Sequence, residues 1–253
     1  MNFSKMFLII VLISIAFYSI FLFLSDISNL ESNSITFKYE YAPLILIFVI
    51  ISWIPLYFRW RLLCKNLGLE IPFRSDFLVY LAGLALYITP AKLGELLRSQ
   101  ILREKFGIQR TQTTPLLFIE KFYDLLGAVI ASSIGILYFP QIGIIVLGGF
   151  VLSIFIFILF SSKITFDKSI IILSKFKFTK KFTEPLSKSH EILRTSTKIK
   201  ILTPSIILSV LYWFTISLAV FFVLKALSID SLGFAEIAST YASSLFLGAL
   251  SFL

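Results

Sequence analysis

Cysteine and histidine are almost absent from this 253-residue chain. The single cysteine, Cys64, excludes an intramolecular disulfide and a cysteine-ligated metal centre. The single histidine, His190, sits in a basic polar stretch, which leaves no histidine-centred metal or catalytic site. Charge is scarce as well. Asp, Glu, Lys and Arg make up 15% of the residues, against about 25% in soluble domains. At this length no room remains for a large soluble catalytic domain. What the chain does hold is apolar: hydrophobic residues reach 58% and aromatics 16%, with mean hydropathy +0.94. This composition describes a polytopic, all-α membrane helix bundle.

Runs long enough to cross a bilayer, at about 20 residues each, are Met6–Ser25, Pro43–Leu63, Thr114–Phe139, Ile142–Ser161 and Ile201–Leu227. A sixth, Phe234–Leu253, is rich in small residues. The first run follows Lys5 but is too long for a signal-peptide core and has no small-x-small cleavage site after it, so it reads as a span. The whole chain is expected to form one integral membrane domain.

The distribution of Lys and Arg predicts orientation. The segment Arg59–Arg110 is strongly basic, and Ser162–Lys200 carries nine lysines and Arg194 against Asp167, Glu184 and Glu191. The stretches 26–42, 140–141 and 228–236 are acidic, mixed or uncharged. Basic and non-basic loops therefore alternate, with the N-terminus and both basic regions expected in the cytoplasm. This alternation requires Phe77–Thr89, too short to span, to enter and leave on one side as a re-entrant element. The basic Ser162–Lys200 loop sets topology or lies on anionic lipid as interfacial helices. The charge needs no nucleic acid to explain it.

The segment Leu81–Gly107, LAGLALYITPAKLGELLRSQILREKFG, holds the first candidate site. Thr89 suits an N-cap, Pro90 the first helical position and Gly107 the position just past the end, so a helix is expected over Pro90–Phe106. Its unpaired N–H groups and positive dipole end, with Lys92 in the first turn, would suit a phosphate. Glu95 and Arg98, at i,i+3, would pair. The alternative is an amphipathic surface helix with Leu93, Leu96, Leu97 and Ile101 in lipid.

In the run TTPLLFIEKFYDLLG, Pro115 is expected to open a helix that carries Glu120, Lys121 and Asp124 below the membrane surface. Glu120 and Asp124, at i,i+4, share a face. A charge at the bilayer centre costs roughly 3 kcal/mol on insertion scales, so such residues face a partner or a watery cavity. Arg98 and Lys92 would be partners; proton coupling through the paired carboxylates is another use. If the helix starts deeper, all three residues stay at the interface. Arg59, Trp60 and Arg61, in FRWRLL, read as cytoplasmic anchoring with an interfacial tryptophan.

These motifs resemble the flippase-like integral membrane family that includes the transmembrane region of lysylphosphatidylglycerol synthases. Pro90, Lys92, Gly94, Glu95 and Arg98 match a P-G-K-x-G-E motif with its Arg-bearing helix, and Glu120 and Asp124 match E-R-x-x-D. FRWRLL with Gly68, Leu69 and Phe73 also fits. Ala91 stands in place of the usual Gly, and Lys121 in place of Arg, which removes bidentate reach. Relative to the family pattern the chain is expected to be C-terminally truncated, stopping before a Pro-Gly-Gly turn. Phe234–Leu253 would then be part of a second broken helix in an inverted repeat.

The resemblance implies translocation of a membrane phospholipid or polyprenyl-linked lipid with a polar or charged headgroup, in the plasma membrane. No covalent chemistry, catalytic residue, metal or cofactor is expected of this chain. The expected substrate-binding residues are Thr89, Pro90, Lys92, Gly94, Glu95, Arg98, Glu120, Lys121 and Asp124. A separate glycosyltransferase or aminoacyl-lipid synthase is the expected partner under an alternative reading, and a proton-coupled small-solute transporter is another.

Overall fold

The structure is a computed structural model that describes residues 37–85, 95–175 and 189–251. Every regular element among these residues is helical. A 3-10 turn, Tyr39–Tyr41, leads into α1 (Ala42–Asn66), followed by α2 (Phe73–Ala85), α3 (Leu96–Phe106), α4 (Arg110–Ser133), α5 (Ile142–Ser161), α6 (Lys163–Ser174), α7 (Ile199–Ala226) and α8 (Phe234–Ser251). A 3-10 turn, Ile134–Leu137, extends α4, and residues 189–196 are also helical. The expected run Met6–Ser25 lies outside the described residues.

Local chemistry sets several of these limits. Gly107 ends α3 with φ 68°, a left-handed conformation that glycine adopts without strain. Its N–H reaches Arg103 O at 3.1 Å, and Ile108 N–H reaches Leu102 O at 3.3 Å, closing the last turn. Arg103 and Lys105 in that turn complement the helix dipole. Pro115 does not open α4 as expected. The helix starts five residues earlier, at Arg110, and Pro115 lies inside it. The missing N–H of Pro115 removes one hydrogen bond, a loss confined to the opening turns. Glu120 therefore sits nearly three turns into α4, deeper than the proline suggested.

α1 and α7 make the most extensive pairing and run antiparallel. Lys38 N–H donates to Ala226 O at 2.8 Å at one end, and Arg59 reaches Ser209 further along. α4 is the central helix, packed against α3, α5, α7 and α8. The turn 134–137 meets α8, and Ser161 meets Thr197 at 3.3 Å. The described parts of the two basic regions thus collect at the end opposite Lys38 and Ala226. His190 is not a solvated loop residue: it is buried, with its ring 4.6 Å from that of Phe166. Burial holds its imidazole below the ordinary histidine range.

The bundle is apolar outside, and its apolar core also encloses many hydroxyl and charged side chains. Ile144 is 78% exposed and Leu147 63%, while Ser205, Ser209, Ser217 and Ser239 are 0% exposed. In water this arrangement would be inverted; in lipid the solvent is hydrocarbon and polar groups turn inward. Three helices among the described residues are long and apolar enough to cross a membrane: Tyr39–Asn66, Ile142–Ser161 and Ile199–Ala226. α4 falls outside that group while carrying Glu120, Lys121 and Asp124. α8 is diluted by Glu236 and small hydroxyl residues.

Small residues let these helices approach. A Cβ added to Gly127 of α4 would lie 2.8 Å from both Ser209 Cβ and Trp213 Cδ1 of α7. This is the close crossing that glycine permits in membrane bundles. Gly127→Val should lower stability by about 1–3 kcal/mol through overpacking, read as a lower thermal midpoint in detergent. Gly143, with open space around it, serves as the control site for Gly143→Ala.

Candidate ion-pair site between α1, α3, α4 and α7

Six charged side chains from three helices and the residue before one of them meet in the bundle. Arg98 of α3 grips Glu120 of α4 with both guanidinium nitrogens, Nη2 to Oε2 at 2.7 Å and Nη1 to Oε1 at 3.3 Å. This two-pronged geometry is the strongest form of such a pair. Glu95, immediately before α3, lies 3.7 Å from Arg98 Nη2 and accepts from Lys121 Nζ at 2.6 Å. Lys121 is also 3.7 Å from Asp124 Oδ2. Asp124 Oδ1 in turn accepts from Arg59 Nη2 of α1 at 2.7 Å. Arg59 Nη1 donates to Ser209 Oγ of α7 at 2.6 Å, which closes the network.

The surrounding residues hold this geometry. The Arg98 guanidinium lies over the rings of Trp60 at 4.5 Å and Tyr80 at 5.0 Å, where the π faces attract the cation. Gly83 of α2 makes room for the arginine stem, because a Cβ there would be 2.6 Å from Arg98 Cγ. The Trp60 indole N–H donates to Asp76 Oδ1 at 3.0 Å. Trp213 Nε1 donates to the backbone oxygen of Asp124 at 2.9 Å.

Burial is extreme for charged groups. Relative exposure is 2% for Arg59, 3% for Arg98 and Glu120, and 7% for Glu95. Lys121 and Asp124 are the exceptions, with side chains 40% and 21% exposed. Three cations face three carboxylates, so the cluster is balanced. The Nε atoms of Arg59 and Arg98 are nevertheless buried and lack a hydrogen-bond partner among the described residues. The cleft that the cluster lines, with Leu56, Tyr80, Gly83 and Leu84, encloses about 10 Å³. That is room for about one water, so the site is closed.

Of the expected site residues, Glu95, Arg98, Glu120, Lys121 and Asp124 come together here. Thr89, Pro90, Lys92 and Gly94 lie outside the described residues, as does the expected start of the helix at Pro90. The expectation that Arg59 and Trp60 form an interfacial anchor is overturned. Both are buried, Trp60 at 0% exposure, and Arg59 is the partner of Asp124. The physical reason is that α1 continues through the apolar Leu62–Leu63–Cys64 to Asn66, which leaves Arg59 two turns inside the helix. Two arginines flanking a tryptophan resemble a helix end at the membrane surface. The continuing apolar run was the available signal.

A buried ion pair broken on one side leaves an uncompensated charge, at a cost of about 3–5 kcal/mol. Glu120→Ala should therefore unfold at markedly lower temperature than Arg98→Met/Glu120→Met. A double-mutant cycle from thermal unfolding should give a coupling energy of at least about 1 kcal/mol. Additive effects would mean that the pair is not formed.

No curated protein and no solved structure matches this chain. A family model described as the lysylphosphatidylglycerol synthase TM region matches residues 11–253, spanning every element described above. With a helical membrane bundle and the Glu95, Arg98, Glu120 and Asp124 motif residues clustered in its interior, the chain belongs to the lysylphosphatidylglycerol synthase TM region family.

Proposed function

We propose that this chain moves a lipid with a polar or charged headgroup between membrane leaflets, and that the ion-pair cluster is its headgroup station. The observation that carries the proposal is the cluster itself: six charges between the helices of an apolar-surfaced bundle, four of them buried, with two buried arginine Nε–H groups that lack an acceptor among the described residues. Intramembrane charges of this kind mark substrate pathways. A phosphate would take the place of a carboxylate on Arg98 or Arg59. The released Glu120 or Asp124 would then accept hydrogen bonds from amine or hydroxyl groups of the same headgroup. Lys92 is expected to add a further cation for the phosphate, and the acyl tails would stay in lipid.

In this reading the chain performs no covalent chemistry and acts in the plasma membrane, with its N-terminus cytoplasmic. Its substrate is a phospholipid or polyprenyl-linked lipid. The closed cleft requires the ion pairs to part before a headgroup enters, so translocation and pair exchange are one event. The description of the matched family favours a second reading, a membrane domain that serves an aminoacyl-phospholipid synthase. Co-purification of such an enzyme with this chain would support it.

Translocation of fluorescent phospholipid in proteoliposomes tests the first reading. Removing a hydrogen bond to a charged group costs about 1.5–3 kcal/mol, so Glu120→Gln and Arg98→Gln should slow transport roughly ten- to hundredfold. Lys92→Ala should also slow it. Wild-type rates in all three variants at equal membrane levels would overturn the assignment.

A further inference from the structure

A second cavity, apart from the ion-pair cluster, opens at the turn between α1 and α2. It encloses about 550 Å³, within the range of small-ligand sites. Arg61, Lys65, Glu70 and Asp76 supply its charges, and Leu69 and Ile71 its apolar wall. Arg59 and Arg61 lie two residues apart on α1 and so point to nearly opposite faces. One serves the interior cluster, the other this cavity.

Arg61 is held by long hydrogen bonds. Its Nη1 donates to Asp76 Oδ2 at 3.2 Å and to the Tyr57 hydroxyl at 3.3 Å, both long for a charge-assisted bond. The guanidinium also lies over the Phe73 ring, 5.0 Å from its centre. Lys65 and Glu70 at the rim are exposed, whereas Asp76 is 1% exposed at the base and already accepts from Trp60 and Tyr57. The cavity thus presents two cations able to receive an anion, beside the exposed Glu70 carboxylate, which can accept N–H or O–H donors. On α2, Phe73, Phe77 and Leu78 are 53%, 38% and 65% exposed. They give an apolar surface beside the charged mouth.

We propose that this cavity binds a phosphodiester headgroup that carries its own hydrogen-bond donors, with the acyl chains lying along α2. The phosphate engages Arg61 and Lys65, and an ammonium or hydroxyl group engages Glu70, while Asp76 holds Arg61 from below. The site is independent of the transport reading, since none of its four charged residues belongs to the interior cluster. It adjoins that cluster all the same. Asp76 holds the Trp60 indole, and the other face of the contact is Arg98.

The test is binding of dihexanoyl phosphatidylethanolamine to the purified full chain in maltoside detergent, measured by calorimetry. Saturable binding is expected, weakened about tenfold in Arg61→Gln/Lys65→Gln by loss of charge-assisted contacts. Lys65→Gln alone changes an exposed side chain and should weaken binding severalfold with an unchanged unfolding temperature. Dihexanoyl phosphatidylcholine, which lacks N–H donors, should bind more weakly. Phosphoethanolamine without tails distinguishes the sources: binding as tight as that of the lipid would make the ligand a free phosphomonoester and overturn the lipid assignment. Arg98→Gln separates the two sites. Binding that persists in Arg98→Gln and falls in the Arg61/Lys65 variants belongs to the turn cavity. No saturable binding, or wild-type affinity in Lys65→Gln and the double variant, would overturn the proposal.

Discussion

A guanidinium and a carboxylate enclosed by apolar helices must satisfy each other, and the rest of this bundle is arranged around the Arg98–Glu120 pair. Each partner is 3% exposed, so neither has water to fall back on. The stem of Arg98 fits only because position 83 is glycine, and its charged head rests between Trp60 and Tyr80. Four helices are thereby placed relative to one another: α1 through Trp60, α2 through Gly83 and Tyr80, α3 through Arg98 and α4 through Glu120. The second pair, Arg59–Asp124, ties α1 to α4 again and draws in α7 through Ser209. That last contact depends on Gly127, which lets α7 come close enough for a serine hydroxyl to reach the arginine. Polar specificity and small-residue packing are one device here.

The balance of charge limits what the site can receive. Three cations and three carboxylates leave no net charge among Arg59, Arg98, Lys121, Glu95, Glu120 and Asp124. Two unit charges at 4 Å interact by about 4 kcal/mol at an effective dielectric of 20. A lone anion entering such a site would add uncompensated charge to the interior. A headgroup bearing phosphate together with ammonium or hydroxyl groups could trade partners pair for pair and leave the balance unchanged. The buried Nε–H donors of both arginines tilt the exchange toward an acceptor-rich group.

Much of this was legible in the sequence, and the failures have physical causes. Composition fixed a membrane bundle, and helical spacing placed Glu120 and Asp124 on one face and paired Glu95 with Arg98. The spacing could not reveal that Asp124 is answered by Arg59, because a partner 65 residues away depends on how α1 and α4 pack. Arg59 itself was misplaced, since Phe58–Arg61 looks like a helix end when basic residues are expected at the membrane surface. Pro115 misled in the opposite direction: a proline that starts many helices lies here within one. Ser209 carried no signal at all. A serine in an apolar helix is neutral in pattern and acquires its role only when Gly127 brings α4 against α7.

The network also has a weak side. Arg59, Arg98 and Glu120 are almost wholly enclosed, but the Lys121 side chain is 40% exposed, and an exposed ion pair is worth little. Lys121 binds Glu95 at 2.6 Å, and Glu95 follows directly after the Pro90–Gly94 segment in sequence. If the network opens stepwise, the Glu95–Lys121 contact is the one with a partner already reaching the outside of the bundle, so it should part first. Glu95 would then be free to leave Arg98, which would keep only Glu120. A ligand approaching Arg98 would thus compete with a single carboxylate instead of two. The lysine found where the related motif has arginine fits this role, because an ammonium holds its partner without the two-pronged grip that Arg98 applies to Glu120.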